Sequence, residues 1–203
     1  MYVAIAGNIG SGKTTMTNML AEHFGWVPVY EHIDNNPYIS DFYEDMRRWA
    51  FNLQVYFLHR RFAHVIASCK EHKNIVQDRT LYEDAYIFAP TLHAMGLLSS
   101  RDYETYRSLF DLLISLTPKP DLLLYLKASV PTLINLITKR GRNYESSIRL
   151  DYITSLNKRY DEWIDGFEGR KIVVDVDNLN IIDSPEDFGK VVEMINAEIN
   201  GLF

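Results

Sequence analysis

Short runs of apolar residues alternate along the chain with longer stretches in which apolar residues recur every three or four positions. The longer stretches predict helices at about 13–24, 40–72, 81–117, 130–140, 146–166 and 185–200. The short runs, most of which lack a strict apolar and polar alternation, predict strands buried on both faces. Alternating strands and helices predict an α/β fold with a five-stranded parallel sheet flanked by helices. The predicted strands are Tyr2–Ala6, Trp26–Tyr30, Asn74–Gln77, Asp121–Leu126 and Lys171–Asp175.

Length and composition describe an ordinary globular protein and exclude several classes. The 203 residues contain no linker rich in glycine, serine or proline, so we expect a single domain, 1–203. The 21 basic residues against 27 acidic residues give a net charge of −6, which disfavours binding to nucleic acid or to an anionic membrane. A single cysteine permits no intrachain disulfide and no cysteine-rich zinc site.

We also expect a cytoplasmic location. The first residues lack the basic segment of a signal peptide, and no apolar run approaches the roughly 20 residues of a membrane-spanning helix.

The segment between the first predicted strand and the first predicted helix fits the phosphate-binding pattern G-x-x-x-x-G-K-[ST]. In this context the backbone N–H groups and the helix N-terminus bind phosphate oxygens, and the lysine reaches the β- and γ-phosphates. The threonine hydroxyl of the motif is a ligand for Mg²⁺. The pattern therefore predicts a P-loop protein of three layers that binds a nucleoside triphosphate such as ATP with Mg²⁺. The predicted nucleotide-binding residues are Gly7, Asn8, Ile9, Gly10, Ser11, Gly12, Lys13, Thr14 and Thr15.

Three charged residues follow the second and third predicted strands: Glu31, Asp78 and Arg79. Ligands bind outside the carboxyl ends of parallel strands, so these side chains should lie on the rim that holds the triphosphate. A carboxylate there can take the proton of an attacking hydroxyl or hold Mg²⁺ through water, and an arginine can bind phosphoryl oxygens. The alternative is that the two acids only cap the turns that follow the strands.

A basic segment, Lys139-Arg140-Gly141-Arg142-Asn143, separates two helical stretches. Cations around a glycine suit a helical lid, at about 138–147, that closes over the transferred phosphoryl group. The alternative is a solvated basic helix end that favours the helix dipole.

The predicted helices supply a candidate slot for a nucleobase. Gln54, Phe57 or Leu58, and Arg61 share one helical face because they span two turns. Asp84 and Phe88 are four residues apart on the next helix. An amide and a carboxylate can read a base edge, and an aromatic ring can stack on the base, although each residue alone also suits a core or surface position.

The ordered motifs resemble the deoxynucleoside kinase family, the relatives of deoxycytidine and deoxyguanosine kinase, and in particular their bacterial deoxyadenosine/deoxyguanosine kinase branch. The resemblance extends over nearly the whole chain, and the ordered set is more specific than any one motif. It rests on Gly-Asn-Ile-Gly-Ser-Gly-Lys-Thr at 7–14, Glu31, Asn36-Pro37-Tyr38, Phe42-Tyr43-Glu44, Arg48-Trp49, Phe51, Gln54-Val55-Tyr56, Asp78-Arg79-Thr80, Asp84, Arg140-Gly141-Arg142-Asn143 and Glu145.

The resemblance implies transfer of the γ-phosphate of Mg-ATP, or of a related triphosphate, to the 5′-hydroxyl of a deoxynucleoside. It implies a helical lid and a homodimer, and it tips the base preference towards deoxyadenosine or deoxyguanosine. Glu31 would be the general base, Arg79 would hold the hydroxyl and the incoming phosphoryl group, and Arg140 and Arg142 would be lid arginines. For the acceptor, the implied binding residues are Tyr43 and Glu145 for the sugar, Gln54 and Asp84 for the base edge, Arg61 beside Asp84, and Phe88 for stacking.

The sequence departs from the family pattern at three positions. Asp78 stands where many animal members have glutamate, and its shorter side chain favours a Mg²⁺ contact through water. Leu136 stands where the family often has another basic residue. Phe57 stands where cytidine-preferring members tend to have a smaller residue, so we expect the slot of this chain to be reshaped.

The sequence also allows other functions. A pyrimidine-preferring deoxynucleoside kinase would keep the reaction and change the base. A nucleoside monophosphate kinase of the thymidylate kinase type would need cations where Glu31 stands, and a GTPase-type switch lacks its guanine-reading motif because Asp161 follows Asn157-Lys158 one residue too late. The apolar residues of 81–98 and 106–116 exceed what one sheet face requires, so we expect these helices to form the homodimer contact.

Overall fold

The computed structural model describes residues 1–31, 36–142, 145, 148–181 and 183–201. Its five strands are β1 (Tyr2–Gly7), β2 (Val27–Val29), β3 (Ile75–Asp78), β4 (Leu122–Lys127) and β5 (Lys171–Asp175). Its helices are α1 (Lys13–Phe24), α2 (Ile39–Glu44), α3 (Met46–Glu71), α4 (Leu81–Glu83), α5 (Ala89–Ala94), α6 (Ser100–Ser115), α7 (Val130–Arg140), α8 (Leu150–Asp165) and α9 (Pro185–Asn200), with a π-helical turn, Asp84–Phe88, between α4 and α5.

The strands form one parallel sheet in the order β2-β3-β1-β4-β5. Central β1 pairs with β3 from Tyr2 opposite Ile75 and with β4 from Val3 opposite Leu122. The chain places β2 and β3 on one side of β1, with β3 next to β1, and then β4 and β5 on the other side. The carboxyl end of β1 is therefore the switch point at which such sheets bind ligands. The predicted α/β architecture and five-stranded parallel sheet are confirmed. The bounds of β5 match the predicted ones, and no end of the other strands is off by more than one residue.

Side chains of β1 alternate between two apolar cores, one on each face of the sheet. Val3 and Ile5 pack against α1 and α9, whereas Ala4 and Ala6 face the larger core that α3, α6 and α8 cover. Burial on both faces explains why β1 and β4 read as continuous apolar runs, whereas the edge strand β5 alternates between buried and exposed residues.

Two predicted helical stretches are interrupted in the structure. The stretch 40–72 is divided at Asp45, whose extended backbone and carboxylate cap α3 by accepting a hydrogen bond from Arg48 N at 3.0 Å. The stretch 81–117 is divided between α5 and α6, where Gly96 has a φ of 69° and Ser99 caps α6. The prediction of continuous helices was therefore wrong, because local capping and a left-handed glycine override the apolar pattern.

Candidate active site

A cleft of about 790 Å³ opens at the carboxyl edge of the sheet. Its walls come from the loop after β1, from the ends of β2 and β3, and from α3, α7 and the helical segments after β3. The structure brings nearly all the predicted site residues together there, and only Gly7 and Asn8 do not line the cleft. Those that do are Ile9, Gly10, Ser11, Gly12, Lys13, Thr14, Thr15, Glu31, Tyr43, Gln54, Phe57, Arg61, Asp78, Arg79, Asp84, Phe88, Arg140, Arg142 and Glu145.

The phosphate loop between β1 and α1 depends on glycine at two positions. Gly10 and Gly12 have φ values of 87° and 89°, in the left-handed region that other residues rarely adopt. A Cβ on Gly10 would lie 2.7 Å from Ile137 Cγ1 and 3.0 Å from the carbonyl oxygen of Leu133, whereas a Cβ on Gly12 would meet nothing within 4 Å. Gly10 is thus required for space as well as for conformation.

Lys13, the first residue of α1, is buried in this loop, and its Nζ donates a hydrogen bond to Asn8 O at 2.8 Å. Burial, with repulsion from the nearby Arg79, lowers the pKa of Lys13 to about 7. A bound triphosphate would supply the negative charge that favours the charged form.

The side chain of Asn8 serves the fold rather than the cleft. Its Nδ2 donates to Ile153 O at 3.2 Å and to Asn157 Oδ1 at 3.0 Å, while its Oδ1 accepts from Ile9 N at 2.8 Å. These bonds fix the phosphate loop to α8, so a contribution of Asn8 to phosphate binding would come from its backbone.

Thr14, which follows Lys13 in α1, and Asp78, at the end of β3, bring a hydroxyl and a carboxylate together. The Thr14 hydroxyl donates to Asp78 Oδ2 at 2.5 Å, and Asp78 Oδ1 is buried without a hydrogen-bond partner among the described residues. Burial raises the pKa of Asp78 despite the nearby Lys13. A hydroxyl and a carboxylate with an unused oxygen fit Mg²⁺, which takes one or two protein oxygens and completes its shell with phosphate and water. Within the described part of the chain, no three acidic, histidine or cysteine side chains group closely enough to hold a metal by themselves.

Glu31 lies at the centre of the cleft between two arginines. Its Oε1 accepts from Arg61 Nη2, and its Oε2 accepts from Arg79 Nε at 3.2 Å. Burial opposes the ionised form, but Arg79, Arg61 and then Lys13 outweigh it and hold the pKa of Glu31 at about 2. The side chain is therefore an ionised acceptor and does more than cap a turn.

Arg79 has the strained backbone that marks many functional positions. It is the one described non-glycine residue with a positive φ, 68°, and its N–H donates to Ile5 O at 2.9 Å. Its Nη1 donates to Tyr160 Oη at 2.8 Å, and its guanidinium carbon lies 4.6 Å from the centre of the Phe88 ring. The guanidinium is fixed at the rim that the sequence predicted for it.

Gln54, Arg61 and Asp84 converge on the far end of the cleft. Arg61 Nη1 forms an ion pair with Asp84 Oδ1, which confirms the expected pairing, and Arg61 lies over the Phe57 ring at 4.8 Å. Gln54 Oε1 and Asp84 Oδ2 are buried, and neither has a hydrogen-bond partner among the described residues. Burial outweighs the attraction of Arg61 and raises the pKa of Asp84 to about 6.

Asp84 and Phe88 occupy the π-helical turn, in which Ala89 N bonds back to Asp84 O. Such turns are rare in proteins overall, and many of those that occur lie at functional sites. The predicted four-residue spacing assumed an α-helix, but both side chains still line the cleft. Leu58 is fully buried and absent from the lining, so Phe57 is the aromatic wall on α3.

The basic segment predicted as a lid begins at the end of α7, and its Asn143 lies outside the described residues. Arg140 Nε donates to Glu145 Oε2 at 3.1 Å, and Arg142 Nη1 lies 3.6 Å from Glu145 Oε1. Lys139 and Leu136 line the same side of the cleft. In this state Glu145, which the resemblance assigns to the sugar, holds the two arginines.

A charged rim, a glycine-dependent phosphate loop and a polar slot with unpaired acceptors thus share one cleft. The sequence model of the family described as deoxynucleoside kinase matches residues 3–200 of the chain. The chain belongs to the deoxynucleoside kinase family. As a member it is a phosphotransferase that acts on deoxynucleosides.

Several relatives of this kinase match it over almost their whole length. The deoxyadenosine/deoxycytidine kinase of Bacillus subtilis is 34% identical over 98% of this chain and 93% of its own. The deoxyguanosine kinase of Lactobacillus acidophilus is 36% identical over 95% of this chain and 88% of its own. A solved deoxyadenosine kinase of M. mycoides with dCMP and dCDP bound has a TM-score of 0.88 at 29% identity, covering 97% of this chain and 100% of that one. The same enzyme with dATP bound has a TM-score of 0.84.

Sequence reasoning missed one buried acid in this kinase, Glu83. It is fully buried, accepts from Gly7 N at 3.2 Å and from Tyr160 Oη at 2.7 Å, and lies 3.3 Å from Arg79 Nη1. It also closes a capping box with Thr80, whose backbone N–H donates to Glu83 Oε2 at 2.6 Å. The pattern Thr-x-x-Glu directly after Asp78-Arg79 is a sequence signal that could have found it.

The loop after β5 is the second part of the cleft that sequence reasoning missed. Asp177, Asn178 and Asn180 line the end of the cleft beside the phosphate loop. The rule that located Glu31, namely that strand ends share one rim, applies equally to the end of β5. Among the helices described in this kinase, none combines the length and the apolar character that crossing a bilayer requires.

Proposed function

We propose that this kinase transfers the γ-phosphate of Mg-ATP to the 5′-hydroxyl of a purine deoxynucleoside, with deoxyadenosine preferred. The observation that carries this proposal is the buried, ionised Glu31, which lies between the phosphate loop and the polar slot. A carboxylate suits a neutral hydroxyl acceptor and would repel an acceptor that already carries a phosphate. This argument separates the proposal from a nucleoside monophosphate kinase.

In the proposed reaction, Glu31 accepts the proton of the 5′-hydroxyl as that oxygen forms a bond to the γ-phosphorus. The bond from the γ-phosphorus to the bridging oxygen breaks, and ADP leaves with the electron pair. Lys13 and Arg79 offset the charge on the phosphoryl oxygens, and Arg140 and Arg142 would join them once Glu145 releases them. Thr14 and Asp78 would hold Mg²⁺, which when bound neutralises charge on the β- and γ-phosphates.

The unpaired acceptors of the slot support a base with an exocyclic amino group. Gln54 Oε1 and Asp84 Oδ2 are both buried acceptors, and leaving such groups unpaired costs about 1–3 kcal/mol each. The 6-amino group of adenine has two N–H donors to offer. Guanine presents a carbonyl oxygen at that position and carries its donors at N1 and at the 2-amino group, so it would have to bind these acceptors with a different edge. Phe57 and Phe88 supply aromatic walls for a ring system, and Tyr43 with Glu145 would bind the sugar.

The 4-amino group of cytosine has the same donors, so deoxycytidine is the second candidate. The Bacillus subtilis relative is named for both deoxyadenosine and deoxycytidine. The preference between the two therefore depends on how far Phe57 narrows the slot.

The test is a phosphorylation assay with Mg-ATP and each of the four deoxynucleosides, with dTMP and dAMP as matched acceptors that carry a phosphate. We expect the highest kcat/KM with deoxyadenosine and no turnover of the monophosphates. Preference for deoxycytidine would keep the reaction and overturn the base assignment. Turnover of a monophosphate alone would contradict the role of Glu31. Replacing ATP by GTP or UTP in the same assay tests the donor, and EDTA should abolish turnover if Mg²⁺ is required.

The homodimer and the cytoplasmic location remain parts of the proposal. Leu112 on α6 and Leu116 directly after it are exposed by 61% and 62%, and Tyr86 by 42%. All three lie within the two segments predicted to form the dimer contact. Exposed apolar groups on neighbouring turns support a partner surface. Sedimentation equilibrium at micromolar concentration should give twice the chain mass, and a monomer would contradict the dimer.

A further inference from the structure

Buried charges of alternating sign cross the acceptor side of the cleft in one continuous row. The order is Asp84, Arg61, Glu31, Arg79 and Glu83, and consecutive members are ion-paired. No side chain in the row is more than 10% exposed. Glu31, the proposed proton acceptor, and Asp84, which is proposed to bind the base edge, are thus both paired with the guanidinium of Arg61.

The two arginines of the row are anchored by different contacts. Each oxygen of Glu31 is paired with a different arginine, so both arginines determine how the carboxylate is oriented. Arg79 has further anchors in Glu83 and in Tyr160 Oη. Besides Glu31, Arg61 contacts Asp84 through an ion pair and lies over the Phe57 ring.

A buried ion pair that loses one partner leaves an uncompensated charge, which relaxes towards the nearest remaining opposite charge. If Asp84 lost its charge, Arg61 would have Glu31 as its remaining charged partner in the row and would shift towards it. Glu31 Oε1 would then turn away from the position in which it accepts a proton.

We propose that Arg61 is a positioning residue for Glu31 and that Asp84 acts through it, so that the base-reading end of the cleft sets kcat as well as KM. This inference rests on the role of Glu31 in the proposed function. A side chain that reads the base without touching the row has no such route to kcat. Gln54 is that side chain, since it lines the same slot and no ion pair joins it to the row.

The experiment is steady-state kinetics with deoxyadenosine on Asp84→Asn, Arg61→Lys and Gln54→Leu. Asp84→Asn keeps the shape. Arg61→Lys keeps the charge but loses the rigid guanidinium fork, whose two Nη atoms each pair with a different carboxylate. Both should lower kcat at saturating deoxyadenosine about tenfold or more, as expected within one ion-pair network. Gln54→Leu should act mainly on KM. Arg47→Met, which removes an exposed cation from the same helix, is the control for net charge and should match the wild type.

A cycle of Asp84→Asn and Glu31→Gln tests whether Asp84 acts through the catalytic carboxylate. If it does, Asp84→Asn should not lower the residual kcat of the Glu31→Gln protein further. Multiplicative losses in the double variant would overturn the inference, because they would show that Asp84 acts independently of Glu31. So would an Asp84→Asn effect confined to KM.

The failure of this inference can be told apart from failure of the proposed function. Full kcat in Glu31→Gln would remove Glu31 from the role of base and so overturn the proposed mechanism. A large loss in Glu31→Gln, combined with normal kcat in Asp84→Asn and Arg61→Lys, would keep that mechanism and overturn only the coupling. Arg61→Lys provides the second measurement if Asp84→Asn does not fold.

Discussion

The two halves of the cleft are built by different means. The donor half, the part proposed to bind the phosphate donor, is built from consecutive residues, 7–15, and its shape depends on the left-handed backbone of Gly10 and Gly12. The acceptor half, the part proposed to bind the deoxynucleoside, is built from side chains of separate elements, Glu31, Arg61, Arg79 and Asp84. Its buried charges compensate one another, and Tyr160 supports Arg79 from outside the cleft.

Because the two halves are built differently, we expect them to respond differently to substitution. A backbone cradle fails when a Cβ is added, because its φ values and its close approaches exclude one. A network of buried charges fails when a single charge is removed, because the partner left behind has no water to solvate it. An added methyl group should therefore damage the donor half most, and a removed charge should damage the acceptor half most.

The largest effect is expected at the centre of the acceptor half. Glu31→Gln should lower kcat about 10²–10⁴-fold, since an amide cannot accept the hydroxyl proton, while the dissociation constant for the deoxynucleoside changes little. Rapid-quench measurement of kcat beside equilibrium titration of deoxyadenosine separates the two quantities. An unchanged kcat would remove Glu31 from the reaction.

The next prediction concerns the stability cost of adding a methyl group at two glycines of the donor half. Gly12→Ala has open space for its Cβ and should cost only the left-handed strain, about 1–2 kcal/mol of unfolding free energy. Gly10→Ala adds the collisions with Ile137 and Leu133 and should cost more. Urea denaturation measures both costs, and ATP affinity should fall more than deoxynucleoside affinity in each variant. Equal costs at the two positions would show that the loop relaxes around the added methyl group.

The charges of the acceptor half also predict how stability changes with pH. The pKa of Glu31 in the folded protein is about 2, below its ordinary value of 4.5. Between these values the unfolded chain binds the proton and the folded one does not, so the stability that Glu31 contributes is present above about pH 4.5 and is lost as pH falls towards 2. Over the whole range the loss should be on the order of 3 kcal/mol. Urea unfolding at pH 5.5 and pH 3.5 should show a steeper decline for the wild type than for Glu31→Gln, and parallel declines would contradict the low pKa.

The last comparison pairs two buried tyrosines, and its smallest expected effect is that of Tyr106→Phe. Tyr160→Phe removes the hydroxyl that binds both Arg79 and Glu83 and should destabilise the fold by about 1–3 kcal/mol. Tyr106→Phe removes a buried hydroxyl that has no hydrogen-bond partner among the described residues, so it should be neutral or slightly stabilising. Thermal unfolding of the two matched variants makes the comparison. A large loss in Tyr106→Phe would show that its hydroxyl acts on the neighbouring Asp84.

The sequence predicted the donor half in detail and the acceptor half only in part. Glycines, lysine and threonine at fixed spacing between a strand and a helix leave little freedom, and the strand-end rule placed Glu31, Asp78 and Arg79 on the same rim. The continuity of 40–72 and of 81–117 was predicted wrongly. Asp45 and Ser99 cap the starts of α3 and α6, and Gly96 turns the chain through a left-handed conformation, and an apolar periodicity does not register such local features. The π-helical turn at Asp84–Phe88 is likewise a local departure that periodicity cannot show.

By itself the sequence determined the α/β layers, the phosphate loop and the identity of the groups that could perform phosphoryl transfer, because these depend on local spacing and on strand ends. Only the tertiary structure decided which charges meet. That Arg61 is shared by Glu31 and Asp84, that Glu145 holds Arg140, and that Glu83 joins Arg79 to the phosphate loop follow from how the helices pack on the sheet. Buried charges must find partners wherever the fold places them, and the chain order does not specify those places.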